Sequence, residues 1–249
     1  MTISVRDETV GSVHPPTVGL IGQFGLLAAL ASSVGLGAVG GLVGLGYAVG
    51  LWILLSRALQ QPGVRWGPAD TVTLTRAVLT GGVLALVADT LAGADTPLAA
   101  LVALAAVALA MDAVDGQVAR RTGTASPLGA RFDMEVDSVL VMVLSVFVAL
   151  TLGWWVVAIG LYRYAFWLAG FGLPWLRGYL APKRWRKVVA ATQGIVLVVV
   201  SAGVLPVPLA AVAVGVSLAM LTVAFGRDIG WLWLTRPKPL RQGDLQRVA

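Results

Sequence analysis

Long apolar segments alternate along the chain with short stretches of polar, glycine and proline residues. An α-helix needs about 20 apolar residues to cross a bilayer, and most of the segments approach this length. The pattern therefore predicts eight membrane-spanning helices. We place these spans at residues 17–33, 36–55, 71–91, 97–118, 128–151, 154–175, 188–204 and 207–226.

The first apolar stretch, residues 17–55, is too long for a single transmembrane helix. As one helix it would measure about 60 Å, roughly twice the hydrocarbon core of a bilayer. We therefore predict a helical hairpin that turns near Ser32, Ser33 and Gly35. The preceding residues, 1–15, predict a short disordered cytosolic tail rather than a signal peptide.

Glycine is abundant in the second span of this hairpin. Several glycines are spaced four residues apart, and this spacing lets two helix backbones approach closely in a membrane. The residues are Gly37, Gly40, Gly41, Gly44, Gly46 and Gly50. We favour packing within the chain, and a homodimer contact is the alternative.

Four aspartates interrupt the apolar spans in the middle of the chain. A carboxylate at bilayer depth costs roughly 2.5–3.5 kcal/mol on insertion scales, so four of them require a compensating cation. Asp112 and Asp115 share one helix face, and Asp133 and Asp137 form an i, i+4 pair on the next helix. Hard divalent cations prefer such oxygen ligands. The cluster predicts a metal-dependent active site, and a structural network with nearby arginines is the alternative.

The four acids belong to a longer motif with fixed gaps. From Asp112 to Asp137 the chain follows the pattern D-x2-D-G-x2-A-R-x8-G-x3-D-x3-D, and in this it resembles the CDP-alcohol phosphotransferase family. The resemblance implies an all-α integral membrane protein with a core of six helices, to which the hairpin adds two. It also implies a transferase of substituted phosphate groups. Such an enzyme passes a phosphatidyl group from a CDP-activated lipid, usually CDP-diacylglycerol, to an alcohol hydroxyl and releases CMP in phospholipid biosynthesis.

The resemblance implies a role for each matched residue. Asp112, Asp115 and Asp133, with Asp137 beside them, would hold one or two divalent cations, Mg²⁺ or Mn²⁺. Asp137 would also be the general base that takes the proton of the acceptor hydroxyl. The residues that would line the CDP site are Gly116, Ala119, Arg120 and Gly129.

A second element, formed by Asp70, Thr73 and Arg76, opens the third span. It resembles the N-x2-T-x2-R element of the same family, with Asp70 in place of the usual asparagine. By this resemblance Asp70 and Thr73 would contact CDP, and Arg76 would contact the phosphates. The alternative is a capped helix start with an arginine that snorkels to the membrane interface.

Two further basic residues are candidates for the acceptor pocket. Arg163 lies near the middle of its span, where an arginine is costly unless it faces acids or an anionic substrate. Similar synthases of the family carry an arginine in this neighbourhood. Lys187 belongs to a basic loop, and a positively charged anchor at the cytosolic interface is its alternative role. The identity of the acceptor alcohol stays open.

Composition and charge define the class of protein. The chain is 58% hydrophobic and 12% charged, which excludes a soluble domain, and it lacks cysteine, which excludes disulfides and thiolate metal sites. The net charge of +6 does not indicate nucleic acid as a partner, because lysine and arginine are concentrated in alternate loops. The loops near residues 34, 92–96, 152 and 205 contain neither. By the positive-inside rule the active site faces the cytosol, and we expect a multi-pass protein of a bacterial cell membrane.

The chain divides by this reasoning into four parts, which are a tail at 1–15, a hairpin at 16–57, the family core at 58–228 and a basic cytosolic tail at 229–249.

Two other functions also use acids within the membrane. UbiA-type prenyltransferases bind pyrophosphate through aspartates and magnesium, but they lack the Gly-x2-Ala-Arg element. A non-enzymatic cation transporter is disfavoured because no internal repeat is evident.

Overall fold

The structure is a computed structural model that describes residues 14–64, 66–122, 126–178 and 184–235. These residues form eight α-helices, and no strand occurs among them. The predicted all-α architecture is confirmed. The helices are α1 (Pro15–Val34), α2 (Ala38–Leu59), α3 (Pro68–Leu91), α4 (Leu98–Thr122), α5 (Pro127–Leu152), α6 (Val157–Gly172), α7 (Arg184–Ser201) and α8 (Val207–Thr235), with 3₁₀ turns at Trp154–Val156 and Pro174–Arg177.

Five of the helices, α1, α2, α3, α5 and α8, are long and apolar enough to cross a membrane. A shorter apolar segment, Leu98–Asp112, forms most of α4. The chain therefore fits a multi-pass membrane protein, as predicted from the length of its apolar segments.

Two helix boundaries are defined in detail, and the first of them confirms the predicted turn near Gly35. α1 ends at Val34 and is followed by Gly35, whose φ of +74° is the left-handed conformation that glycine adopts readily at helix C termini. The apolar stretch thus breaks into a hairpin at this point. At the start of α5 the hydroxyl of Ser126 accepts the backbone N–H of Gly129 at 2.9 Å, and Pro127 is the first helical residue.

The chain forms two compact units that divide between Phe147 and Val148. In the first unit α3 is the central helix, because it packs against α1, α2 and α4. α3 also contacts α5 through an apolar cluster that α2 completes. The residues of this cluster are Leu55, Leu74, Ala77, Phe132 and Val136.

The second unit contains α6, α7 and α8. Gln193 of α7 donates a hydrogen bond to the carbonyl oxygen of Ser217 in α8 at 3.0 Å, and the Ser217 hydroxyl donates to Gln193 at 2.5 Å. Both residues are buried. Hydrogen bonds between apolar helices stabilise helix pairs in membranes, so this pair fixes α7 against α8.

The start of α2 is capped by a residue of α3. The N-cap position of α2 is Gly37, which has no side chain to offer. Asp89 is buried near the end of α3, and its carboxylate accepts hydrogen bonds from the backbone N–H groups of Gly37 and Gly40. The bond from Gly40 measures 3.0 Å. A carboxylate at this place satisfies N–H groups that have no partner within the helix and interacts favourably with the helix dipole.

The glycines of α2 fall into two groups. A Cβ atom built on Gly37, Gly40 or Gly44 would press against α1 or α3, so this group packs within the chain. The other group, Gly41, Gly46 and Gly50, has nothing within 4 Å of such an atom. The predicted division of the chain at residues 15, 57 and 228 stays a prediction, and residues 1–13 and 236–249 of the two predicted tails lie outside the described residues.

Candidate active site

Three of the four predicted aspartates converge in the first unit. Asp112 lies on α4, and Asp133 and Asp137 lie one turn apart on α5. Oxygen atoms of the three carboxylates are within 4.8 Å of one another. Their side chains are 38%, 34% and 40% exposed, respectively, so a cation or a substrate can reach the cluster from its open side.

Arg76 of α3 closes the buried side of this cluster. Its Nη1 atom lies 3.2 Å from Asp112 and 2.5 Å from Asp133, and its Nη2 atom forms an ion pair with Asp137. Its Nε–H donates to the carbonyl oxygen of Ala108 at 3.1 Å. Because Arg76 is 0% exposed, the alternative of an arginine that snorkels to the interface is excluded.

Helix packing explains why these residues meet. On α5 the apolar residues Phe132 and Val136 contact Leu74 and Ala77 of α3. The next residue after each of them is an aspartate, and successive side chains on a helix are about 100° apart. Burial of the apolar pair therefore carries Asp133 and Asp137 to the edge of the interface, beside Arg76.

Asp70 lies where the first turns of α3 and α5 meet. It is 3% exposed, and its carboxylate accepts a hydrogen bond from the backbone N–H of Gly67 at 2.7 Å. This hydrogen bond caps the start of α3. A Cβ atom on Gly129 would collide with the Asp70 carboxylate. Glycine is therefore required at this matched position by the neighbouring acid. The capped helix start is confirmed, and contact of Asp70 and Gly129 with CDP stays a prediction.

Thr73 is also buried, and its hydroxyl donates to the carbonyl oxygen of Ala69 at 3.2 Å. It lies one turn before Arg76 on α3. Its predicted contact with CDP stays a prediction.

The remaining motif residues follow Asp112 on α4. The backbone is helical as far as Thr122. Their side chains lie outside the described part of the structure, and their predicted roles stay predictions. These residues are Asp115, Gly116, Ala119 and Arg120.

The predicted acceptor residues Arg163 and Lys187 belong to the second unit. Arg163 is partly buried in the middle of α6, and Lys187 is exposed in the first turn of α7. Next to Lys187, Arg186 forms an ion pair of 2.9 Å with Asp228 of α8. Asp228 could not be predicted as the partner of Arg186 from the sequence, because nothing in the local pattern indicates a partner 42 residues away. The acceptor role of these basic residues stays a prediction.

The carboxylate oxygens of the three clustered aspartates fit a hard divalent cation. Mg²⁺ and Mn²⁺ prefer carboxylate oxygens, and Mg²⁺ is commonly held by a few carboxylates together with substrate phosphates. Asp112, Asp133 and Asp137 supply such oxygens from two helices, and the other side of the cluster is open. A carboxylate offers two oxygens and about four lone-pair positions, so contact with Arg76 leaves capacity for a metal ligand.

Residues 66–226 match the family model described as CDP-alcohol phosphatidyltransferase. This range extends from the residues before α3 into α8 and covers more than half of the chain, so the chain belongs to that family. The protein is therefore a transferase of substituted phosphate groups. Comparison with the curated proteins and with the solved structures gives no match.

Proposed function

We propose that this member of the CDP-alcohol phosphatidyltransferase family transfers the phosphatidyl group of CDP-diacylglycerol to the hydroxyl of a small alcohol in phospholipid biosynthesis. The observation that carries the proposal is the convergence of Asp112, Asp133 and Asp137 within 4.8 Å on the open side of Arg76. Family membership supplies the reaction class, and the long apolar helices suit a donor that is itself a membrane lipid.

The reaction is a displacement at the phosphorus atom that carries the lipid. The acceptor oxygen forms a new O–P bond, the bridging P–O bond to the CMP phosphate breaks, and CMP leaves with the bond electrons. Asp112 and Asp133, together with Asp115 as predicted, would hold Mg²⁺ or Mn²⁺, and the bound ion would stabilise the negative charge on the phosphate oxygens. Asp137 accepts the proton of the acceptor hydroxyl as general base.

The other motif residues bind the two substrates in this proposal. The cytidine and pyrophosphate contact Asp70, Thr73, Gly116, Ala119, Arg120 and Gly129. Arg163 and Lys187 attract an anionic acceptor. The site faces the cytosol of a bacterial cell, since the basic loops that flank the motif favour that side.

The direct test is CMP release by the protein purified in detergent. CDP-diacylglycerol and Mg²⁺ or Mn²⁺ are supplied with glycerol 3-phosphate, an inositol phosphate, a free polyol or a second lipid as acceptor. We expect CMP release with one acceptor class and a new phospholipid that contains that alcohol. Glu135→Gln is the matched control, because Glu135 is an exposed acid between Asp133 and Asp137 on the same helix. CMP release from a soluble CDP-alcohol alone would contradict the lipid donor.

A further inference from the structure

Arg76 combines features that a contact to substrate does not require. It is fully buried, although it carries a charge, and its guanidinium contacts aspartates from both α4 and α5. The Nε–H group is held separately by the carbonyl oxygen of Ala108. The position of the guanidinium is thus fixed from α3, α4 and α5 together.

The three carboxylates would repel one another strongly without a cation among them, because like charges a few ångströms apart interact with little screening in a partly buried site. A guanidinium is well suited to this place. It is planar, keeps its charge at any relevant pH, and presents five N–H donors in a fixed fork that matches carboxylate geometry. An ammonium group, a single point charge on a flexible stem, would hold fewer carboxylates in defined positions.

We propose that Arg76 is a positioning residue whose guanidinium holds Asp112, Asp133 and Asp137 together from the buried side, so that the metal ion enters an already assembled site from the exposed side. This inference rests on the proposed metal-dependent function. It assigns Arg76 a role different from the phosphate contact that the sequence predicts. Arg76 lies behind the carboxylates, away from their exposed side, because it is buried and anchored to Ala108.

As a consequence, the metal ion and Arg76 both offset the repulsion between the carboxylates. In the wild-type protein the metal-free site is already stabilised, so added metal raises the melting temperature only modestly. Without the guanidinium the metal must offset the repulsion alone. The stabilisation by metal should then be larger, although the protein starts from a lower stability.

The test compares Arg76→Gln and Arg76→Lys with the control Arg57→Gln, which removes the same charge from an exposed position in α2. Tm is measured in detergent with EDTA and with Mn²⁺. We expect Arg76→Gln to lose roughly 10 °C in EDTA, as for a buried ion pair with one partner removed, and to regain a large part of it with Mn²⁺. Arg76→Lys should fall between wild type and Arg76→Gln, and Arg57→Gln should behave as wild type in both conditions.

A double variant separates charge compensation from simple packing. In the Arg76→Gln background, Asp133→Asn removes one of the repelling charges and should raise Tm in EDTA. In the wild-type background the same substitution removes a partner of Arg76 and should lower Tm. This reversal of sign is a coupling between the two positions that a packing role does not produce. It also keeps the test decisive if Arg76→Gln alone does not fold, because the double variant should then recover folded protein.

Two outcomes overturn the inference. One is an equal loss of Tm with and without Mn²⁺ together with the same effect of Asp133→Asn in both backgrounds. The other is an unchanged Tm of Arg76→Gln in EDTA together with a loss confined to CDP-diacylglycerol binding. This result would indicate that Arg76 contacts the substrate phosphates. A failure of the proposed function can be distinguished from a failure of this inference. If no CDP-lipid gives CMP release, the proposed function is wrong, and the Tm measurements still decide the role of Arg76.

Discussion

The carboxylate of Asp89, near the end of α3, accepts the backbone N–H of Gly40, in the first turn of α2, at 3.0 Å. Gly40 lies outside the range that matches the family, and Asp89 lies inside it. The contact therefore joins the N-terminal hairpin to the family core at a buried position. It also explains why two glycines are needed at the start of α2, since a Cβ atom on Gly37 or Gly40 would press against Asp89.

We expect Asp89→Ala to destabilise the protein, because it leaves two N–H groups at the start of α2 without their partner. Loss of a helix cap costs about 1–2 kcal/mol, which corresponds to about 2–8 °C in Tm for a chain of this size. The measurement is thermal unfolding in detergent. Asp95→Ala removes an exposed acid from the loop after α3 and should leave Tm unchanged; an equal loss in both variants would contradict the capping role.

A second prediction compares two adjacent glycines of α2. A methyl group on Gly40 would lie 2.5 Å from the carbonyl oxygen of Ala85, whereas one on Gly41 has nothing within 4 Å. Gly40→Ala should therefore lower Tm, and Gly41→Ala should keep or slightly raise it, since alanine favours helix. Size-exclusion chromatography with light scattering checks the alternative. If Gly41→Ala reduced a dimer to a monomer, the open glycine face would be a contact between copies.

The helices could be predicted from the sequence because the thickness of a bilayer sets their length. Each of the eight predicted spans overlaps one helix of the described residues, and five of these helices are long and apolar enough to cross a membrane. The turn near Gly35 was predicted from local residue types. The convergence of Asp112 with Asp133 and Asp137 was predicted from the motif that these acids share, because spacing within a helix fixes only which residues of that helix lie on one face.

The partners of Arg76 and Asp89 could not be predicted in the same way. Arg76 contacts aspartates 57 and 61 residues away, and Asp89 contacts glycines 49 and 52 residues away. Sequence spacing carries no information on such pairs, because they depend on how whole helices pack. The local pattern placed Arg76 at a helix start and indicated no role for Asp89.

Removal of a metal ligand should abolish CMP release. Asp112→Asn, Asp115→Asn and Asp133→Asn each replace a carboxylate by an amide, which binds a divalent cation far more weakly. EDTA should abolish activity in the wild type, and added Mg²⁺ or Mn²⁺ should restore it. Glu135→Gln is the control on α5. Full turnover by Asp133→Asn, or by the wild type in EDTA, would exclude the metal assignment.

The orientation of the chain can be tested with single cysteines, because the natural sequence contains none. Cysteines at Thr124 and Gln242 should react with a membrane-impermeant reagent only from the cytosolic side, and one at Ala94 only from the outside. The asymmetry of lysine and arginine between the loops is the reason. Reaction of the Thr124 position from outside would place the active site on the opposite face.

The last prediction separates the general base from the metal ligands. If Asp137 takes the proton from the acceptor, Asp137→Asn should keep metal-dependent binding of CDP-diacylglycerol near the wild-type level. The chemical step should slow by roughly 10²- to 10⁴-fold, as is typical for loss of a general base. Single-turnover CMP release and donor binding, measured on the same preparation, check the two quantities separately.

Arg163→Ala provides the contrasting variant. If Arg163 attracts an anionic acceptor, its loss should raise the KM for that acceptor and leave donor binding unchanged, because the lost charge-assisted contacts involve the acceptor alone. Asp137→Asn and Arg163→Ala thus affect different kinetic constants. Should Asp137→Asn lose metal and donor affinity as fully as Asp133→Asn does, Asp137 is a fourth ligand and the proton must pass to another group. Such a result would fit the described geometry equally well, since the Asp137 carboxylate is as close to the other two as a ligand would be, and only the kinetics distinguish the two roles.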